Sequence, residues 1–117
     1  MNRERVKLLV EALRTTTHKQ TKYKLKNGDA YCTSGIACNI YNESTGLSGW
    51  KKDIWVAKSG DRVELSVPHQ VVFWFGTDNL FIDIVRWNDD KHFSFHDIAS
   101  IIEEKYLKVK ENNATDG

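Results

Sequence analysis

The stretch GDAYCTSGIACNIYNE, residues 28–43, decides how the fold is interpreted. Its first residue, Gly28, follows an asparagine, and Asn-Gly is the strongest two-residue signal for a β-hairpin because both positions tolerate a positive φ. Apolar and polar residues alternate around this pair, as they do in half-buried strands. We therefore predict a β-hairpin over residues 23–32, with Cys32 at the end of its second strand.

A short helix is predicted immediately after the hairpin. Thr33 or Ser34 can cap its first turn, because either hydroxyl can accept a hydrogen bond from a free backbone N–H. Apolar residues recur at helical spacing as far as Tyr41, so the helix should end near Asn42, before Gly46.

The two cysteines of this stretch allow four interpretations: nucleophile, metal ligand, disulfide partner or buried core residue. We favour the last, since free cysteine is among the most often buried residue types. Gly35 has no Cβ and would let the helix approach the hairpin closely, which would enclose Cys32 and Cys38 between them. Burial should keep both thiols protonated and unreactive.

Helices and strands elsewhere are predicted from periodicity and from capping residues. An apolar stripe at helical spacing predicts a first helix over residues 3–15. Strands are expected over residues 54–56 and 62–67. A helix is expected over residues 69–75, where a strand is the alternative, and Ser94 should cap a last helix.

These elements predict an α+β fold: a single compact domain in which three to four helices pack on a small antiparallel sheet. Residues 1–110 should form this domain, and residues 111–117 a polar, disordered tail. No apolar run approaches the length of a membrane span. The charged N-terminus lacks the features of a signal peptide, so we expect a cytoplasmic protein.

Four fragments, ALRTTTHKQTKYKL, GDAYCTSGIACN, VPHQVVFWFG and WNDDKHFSFHDIASIIEE, occur in this order within residues 12–104. Together they resemble a family of small uncharacterised proteins of tailed bacteriophages and prophages. The chain departs from the family pattern at Thr33, where the family has a second cysteine, and at Ser34, where it has leucine. The resemblance implies a viral origin and no particular chemistry. The matching positions include Tyr31, Cys32, Gly35, Cys38, Pro68, Val71, Trp74, Gly76, Asn88, Asp89, Ser94, Ile98 and Ile102.

The favoured functional hypothesis is a non-enzymatic phage accessory protein that binds and modulates a host protein. The candidate partner-binding residues are Trp50, Lys51, Lys52 and Trp55, because exposed tryptophan beside charge is common at protein interfaces. The alternative is a cysteine hydrolase, in which Cys32 at a helix N-terminus is the nucleophile and His69 the base.

Nucleic-acid binding is a more distant hypothesis. Residues 1–26 hold eight Lys/Arg and two acidic residues, whereas residues 77–104 hold seven acidic residues. We expect the two regions to pack side by side and offset each other's charge, rather than leave a basic surface for phosphates.

No cofactor or metal is predicted. The two cysteines and four histidines have no zinc-site spacing. The Asn88-Asp89-Asp90 run predicts a backbone turn rather than a cation site, since a calcium loop needs more oxygen ligands at regular spacing.

Overall fold

The first helix, α1 (Arg3–Thr15), confirms the predicted N-terminal helix. In the computed structural model, which describes residues 1–108, the side-chain oxygen of Asn2 accepts a hydrogen bond from the backbone N–H of Arg5 at 3.1 Å and caps this helix. The apolar stripe of α1 is buried, and the helix packs against the α-helix that begins at Phe95. The tail predicted at residues 111–117 lies outside the described residues.

Three two-residue strands form the first sheet: β1 (Lys19–Gln20), β2 (Lys26–Asn27) and β3 (Ala30–Tyr31). Strands β2 and β3 are antiparallel and confirm the predicted hairpin, whose turn contains Gly28 at a φ of 62°. Strand β1 pairs with β3 in parallel. It was not predicted, because two polar residues carry no strand pattern.

Helix α2 (Thr33–Thr45) follows the hairpin directly, as predicted, but the predicted cap is wrong. Both candidate hydroxyl residues lie inside the helix, and Sγ of Cys32 is the group that accepts a hydrogen bond from the backbone N–H of Gly35, at 3.3 Å. The hydroxyl of Thr33 instead donates to the side-chain oxygen of Asn88 at 2.9 Å.

The length of α2 also differs from the prediction, since the helix continues past Asn42 and ends at Gly46, whose backbone is left-handed. The predicted role of Gly35 is confirmed. A Cβ at that position would lie 2.0 Å from the backbone carbonyl oxygen of Leu25, so only glycine permits this contact between helix and hairpin.

The second sheet contains β4 (Ser48–Lys51), β5 (Ile54–Ala57) and β6 (Arg62–Val63), in that order and antiparallel throughout. It confirms the strand predicted at residues 54–56. The strand predicted at residues 62–67 is shorter than expected. Strand β4 was not predicted because its serine and glycine are poor strand formers.

Helix α3 (His69–Phe75) confirms the helical interpretation of this segment over the strand alternative. Pro68 stands at its N-terminal cap position, where the missing N–H of proline has no cost. Gly76, at a φ of 78°, ends the helix as predicted.

Helix α4 (Asp78–Val85) was not predicted. The hydroxyl oxygen of Thr77 accepts a hydrogen bond from the backbone N–H of Leu80 at 3.3 Å and caps it. A π-helical turn, Arg86–Asp90, continues α4 and leads into the final part of the fold.

The last α-helix is α5 (Phe95–Ile102), and its predicted cap is confirmed. The hydroxyl oxygen of Ser94 accepts a hydrogen bond from the backbone N–H of Asp97 at 3.1 Å. A second π-helical segment, Glu103–Lys108, follows.

Residues 1–108 thus form a single α+β domain, as predicted, although they contain five α-helices and two three-stranded sheets rather than three to four helices and one sheet. None of the helices in this range is long and apolar enough to cross a membrane. The largest fully buried apolar side chains come from four of the five helices, from β5 and from the segment before β2: Val6, Leu9, Leu13, Leu25, Trp55, Val71, Phe75, Leu80, Ile84, Ile98 and Ile102.

Candidate functional site

Both cysteines lie in the core, as predicted. Cys32 and Cys38 are free thiols and are buried in the hydrophobic core. Burial raises the pKa of the Cys32 thiol to about 11 and raises the pKa of the Cys38 thiol well above its ordinary value. The hydrogen bond that the Gly35 N–H donates to Cys32 lowers the pKa of this thiol, but by less than burial raises it. At neutral pH neither residue is a thiolate, which is the form that attacks substrates.

The hydrolase hypothesis also requires a base in contact with the thiol, and the geometry does not supply one. His69 is exposed at the start of α3 and lines clefts with Phe73, whereas Cys32 lines a separate, smaller cleft with Asn88. Within residues 1–108 no hydrogen bond joins the two side chains. The arrangement therefore argues against Cys32 and His69 as a catalytic pair.

The basic N-terminal region is engaged largely in contacts within the protein. The guanidinium of Arg14 donates two hydrogen bonds to the carboxylate of Glu103, at 3.1 and 3.2 Å, so the predicted offset between the two charged regions is confirmed at this pair. Lys24 and Lys26 both lie within 4.0 Å of the Asp53 carboxylate. These three cations of the basic region therefore already have carboxylate partners within the protein.

The predicted partner-binding residues do not form one surface. Trp55 is completely buried, and its indole N–H donates to Asn42, so it cannot contact a partner. Trp50 lies opposite Trp55 in the sheet and is half-buried. Lys51 and Lys52 are exposed at the turn between β4 and β5. For Trp50 and the two lysines, partner binding stays a prediction.

Asn88 is structural, as predicted for the Asn88-Asp89-Asp90 run, but its role is larger than that of a turn residue. Its buried side-chain oxygen accepts hydrogen bonds from the backbone and hydroxyl of Thr33 and from the side chain of Gln20. Its amide donates to the carbonyl oxygen of Thr21 and to Asp89. This side chain therefore joins β1, α2 and the π-helical turn.

Across residues 1–108, no group of three or more His, Cys, Asp or Glu side chains is placed to hold an ion.

The surface that the sequence did not predict lies on α3 and α4. Phe73 is 85% exposed, and Ile82, Leu65 and Val85 are 66%, 65% and 44% exposed. We call the apolar surface that these four residues form together with Val67 and Val72 the α3–α4 face. The sequence carried a signal for this face. Val71 and Phe75 lie on the buried side of α3. Phe73, midway between them in the sequence, points roughly 160° away from each of them around the helix axis.

Two connected clefts shape the α3–α4 face. One, of about 430 Å³, is lined by Val67, Val72 and Ile82 together with residues of α4. The other, of about 390 Å³, is lined by Val67, Val72 and Phe73 together with His69. Asp78 lines both clefts and is exposed. The result is an apolar surface with one carboxylate at the junction of its two depressions.

Comparison of the chain with curated proteins and with solved structures gave no match. A family model described as a domain of unknown function (DUF8296) matches residues 1–80, which run from α1 into α4 and include Phe73. This match covers more than half of the chain, and the protein therefore belongs to the DUF8296 family.

Proposed function

We propose that this protein is a small phage or prophage accessory protein that acts in the cytoplasm of a bacterial host by binding a host protein through the α3–α4 face. The viral origin rests on the resemblance of four ordered fragments to proteins of tailed bacteriophages. The binding surface rests on the geometry of α3 and α4.

The observation that carries the proposal is the exposure of Phe73. A phenylalanine that is 85% exposed and lines an apolar cleft keeps a large apolar area in water. Covering such a side chain is worth about 1.5–3 kcal/mol. Contiguous exposed apolar surface of this kind is typical of protein-binding sites, and aromatic residues often dominate their energetics.

The α3–α4 face also indicates which chemical groups the partner presents. The clefts around Val67 and Val72 fit apolar side chains, such as those along one face of an amphipathic helix. Asp78 stands at the junction of the clefts and makes no ion pair within residues 1–108. A basic residue of the partner placed beside this carboxylate would fix the orientation of the complex.

Quantitative affinity capture from a bacterial lysate tests this function. Wild-type protein is compared with Phe73→Asp and with Leu8→Asp, a control at an apolar residue of α1 that is also exposed. We expect a captured protein to be lost with Phe73→Asp and retained with Leu8→Asp. A set of captured proteins that is the same for all three baits would contradict the proposal.

A further inference from the structure

A third depression, of about 340 Å³, lies beside the α3–α4 face, between α1, α2 and α3. It is lined by Arg5, Tyr41, His69, Gln70, Phe73 and Trp74. We call it the Arg5 pocket. It shares His69 and Phe73 with the neighbouring cleft, so a molecule lying across Phe73 would reach both.

Residues 1–108 hold Arg5 in this pocket and use one of its guanidinium donors. Its guanidinium carbon lies 4.2 Å from the centre of the Trp74 ring, and one of its nitrogens donates to the Trp74 carbonyl oxygen at 2.8 Å. No carboxylate of residues 1–108 forms an ion pair with it. A guanidinium has five N–H donors, so several are left for a ligand.

Tyr41 provides a second, independent observation. The residue is only 7% exposed, and its ring packs edge-on against Trp74 with centres 5.8 Å apart. Its hydroxyl makes no hydrogen bond within residues 1–108 and is not among the fully buried polar atoms, so a molecule in the pocket can reach it.

We propose that the Arg5 pocket binds a carboxylate carried beside an aromatic or other apolar group of the partner that covers the α3–α4 face. Arg5 and the Tyr41 hydroxyl donate hydrogen bonds to the carboxylate, and Trp74 and Phe73 pack against the apolar group. Because it names a group of the partner, this inference rests on the proposed function.

The probe that tests the pocket is phenylacetate, with the uncharged phenylacetamide as its matched control. Binding is followed by two-dimensional NMR, with the indole N–H of Trp74 as the reporter. We expect phenylacetate to bind about tenfold more tightly than phenylacetamide, since hydrogen bonds to charged groups are stronger than those to neutral ones. Equal affinity for the two probes, or no binding of phenylacetate, would overturn the inference.

The Tyr41→Phe variant removes only the hydroxyl, which has no hydrogen-bond partner within residues 1–108, so the fold should be retained. We expect it to weaken phenylacetate binding about threefold or more and to leave phenylacetamide binding almost unchanged. Unchanged phenylacetate binding by this variant would contradict the assignment of Tyr41.

The outcomes separate this inference from the proposed function. If capture depends on Phe73 but phenylacetate does not bind, the pocket inference is wrong and the docking face stands. If phenylacetate binds as expected but capture does not depend on Phe73, the host-protein partner is wrong and with it the source of the carboxylate.

Discussion

The start of α2 and the α3–α4 face are opposites in composition and in exposure. The first contains the residue types that perform chemistry, Cys32 and Cys38 among them, and encloses them in the core. The second consists mainly of apolar side chains, and it leaves Phe73 almost fully in water. The difference teaches that reactive residue types are a weak guide to function unless their exposure is known. Here the unexplained feature is an exposed apolar residue.

The physical origin of the difference lies in how each helix is covered. Gly35 lets the backbone of α2 contact the backbone of the hairpin directly, and the residues of the first turn of α2 are buried. Helix α3 has only seven residues between Pro68 and Gly76, and it buries Val71 and Phe75 on one side. On the opposite side of α3, the rest of residues 1–108 leaves Phe73 almost uncovered.

The largest expected effect comes from Gly35→Ala, which tests how closely the first region is packed. The new Cβ would lie 2.0 Å from the carbonyl oxygen of Leu25, so the backbone must move. We expect the free energy of unfolding to fall by about 3 kcal/mol or more. Chemical denaturation measures this loss, with Gly49→Ala as the control, because a Cβ there meets no atom within 4 Å. Equal stability of the two variants would contradict the close packing of α2 against the hairpin.

The next effect is that of Asn88→Ala, which removes the side chain joining β1, α2 and the π-helical turn. The donors of Thr33 and Gln20 would lose their acceptor in a buried site. We expect a loss of about 2–3 kcal/mol in denaturation experiments. The matched control is Asn79→Ala, at an exposed asparagine of α4, which should change stability by less than about 0.5 kcal/mol. A loss no larger than that of the control would show that the Asn88 network is dispensable.

Thiol reactivity tests the enclosure of Cys32 directly. Because burial raises its pKa to about 11, little thiolate exists at pH 8. We expect a soluble thiol reagent to modify the native protein about 100-fold more slowly than the urea-unfolded protein. The Cys32→Ala variant assigns the remaining reaction to Cys38. Native labelling as fast as unfolded labelling would reopen the hydrolase hypothesis.

The smallest expected effect on stability is that of Phe73→Ala. Its side chain is 85% exposed, so unfolding stability should change by less than about 0.5 kcal/mol. Phe75→Ala, two residues further along the same helix, removes a fully buried ring and should cost about 3–5 kcal/mol. Thermal and chemical denaturation of the pair measure the contrast. Similar losses for both variants would mean that Phe73 is part of the core.

Elements with local signals could be predicted from the sequence. Helix α1 has an unbroken apolar stripe, the hairpin has its Asn-Gly turn, and α5 has the Ser94 cap. Strands β1 and β4 have no such signal: β1 is two polar residues, and β4 is stabilised by pairing with β5 rather than by its own composition. The cap of α2 was missed because a thiol is an unusual acceptor at that position.

The candidate site was harder to predict than the fold. The tryptophans of the second sheet looked like contact residues, but exposure depends on which face of the sheet meets the core, and Trp55 is buried there. The exposure of Phe73 depends on α3 being a helix, an interpretation that the sequence left open against a strand. The pocket around Arg5 and Tyr41 lies between three helices that are distant in sequence. No local sequence pattern predicts that these helices come into contact.

Site-specific photo-crosslinking in bacterial cells tests the central claim most directly. A benzophenone amino acid is placed at position 73 in one protein and at position 8, on the exposed side of α1, in another. We predict that position 73 crosslinks to a distinct bacterial protein and that position 8 does not. Crosslinks from position 73 that are absent, that join only two copies of this chain, or that match those from position 8 would contradict the account.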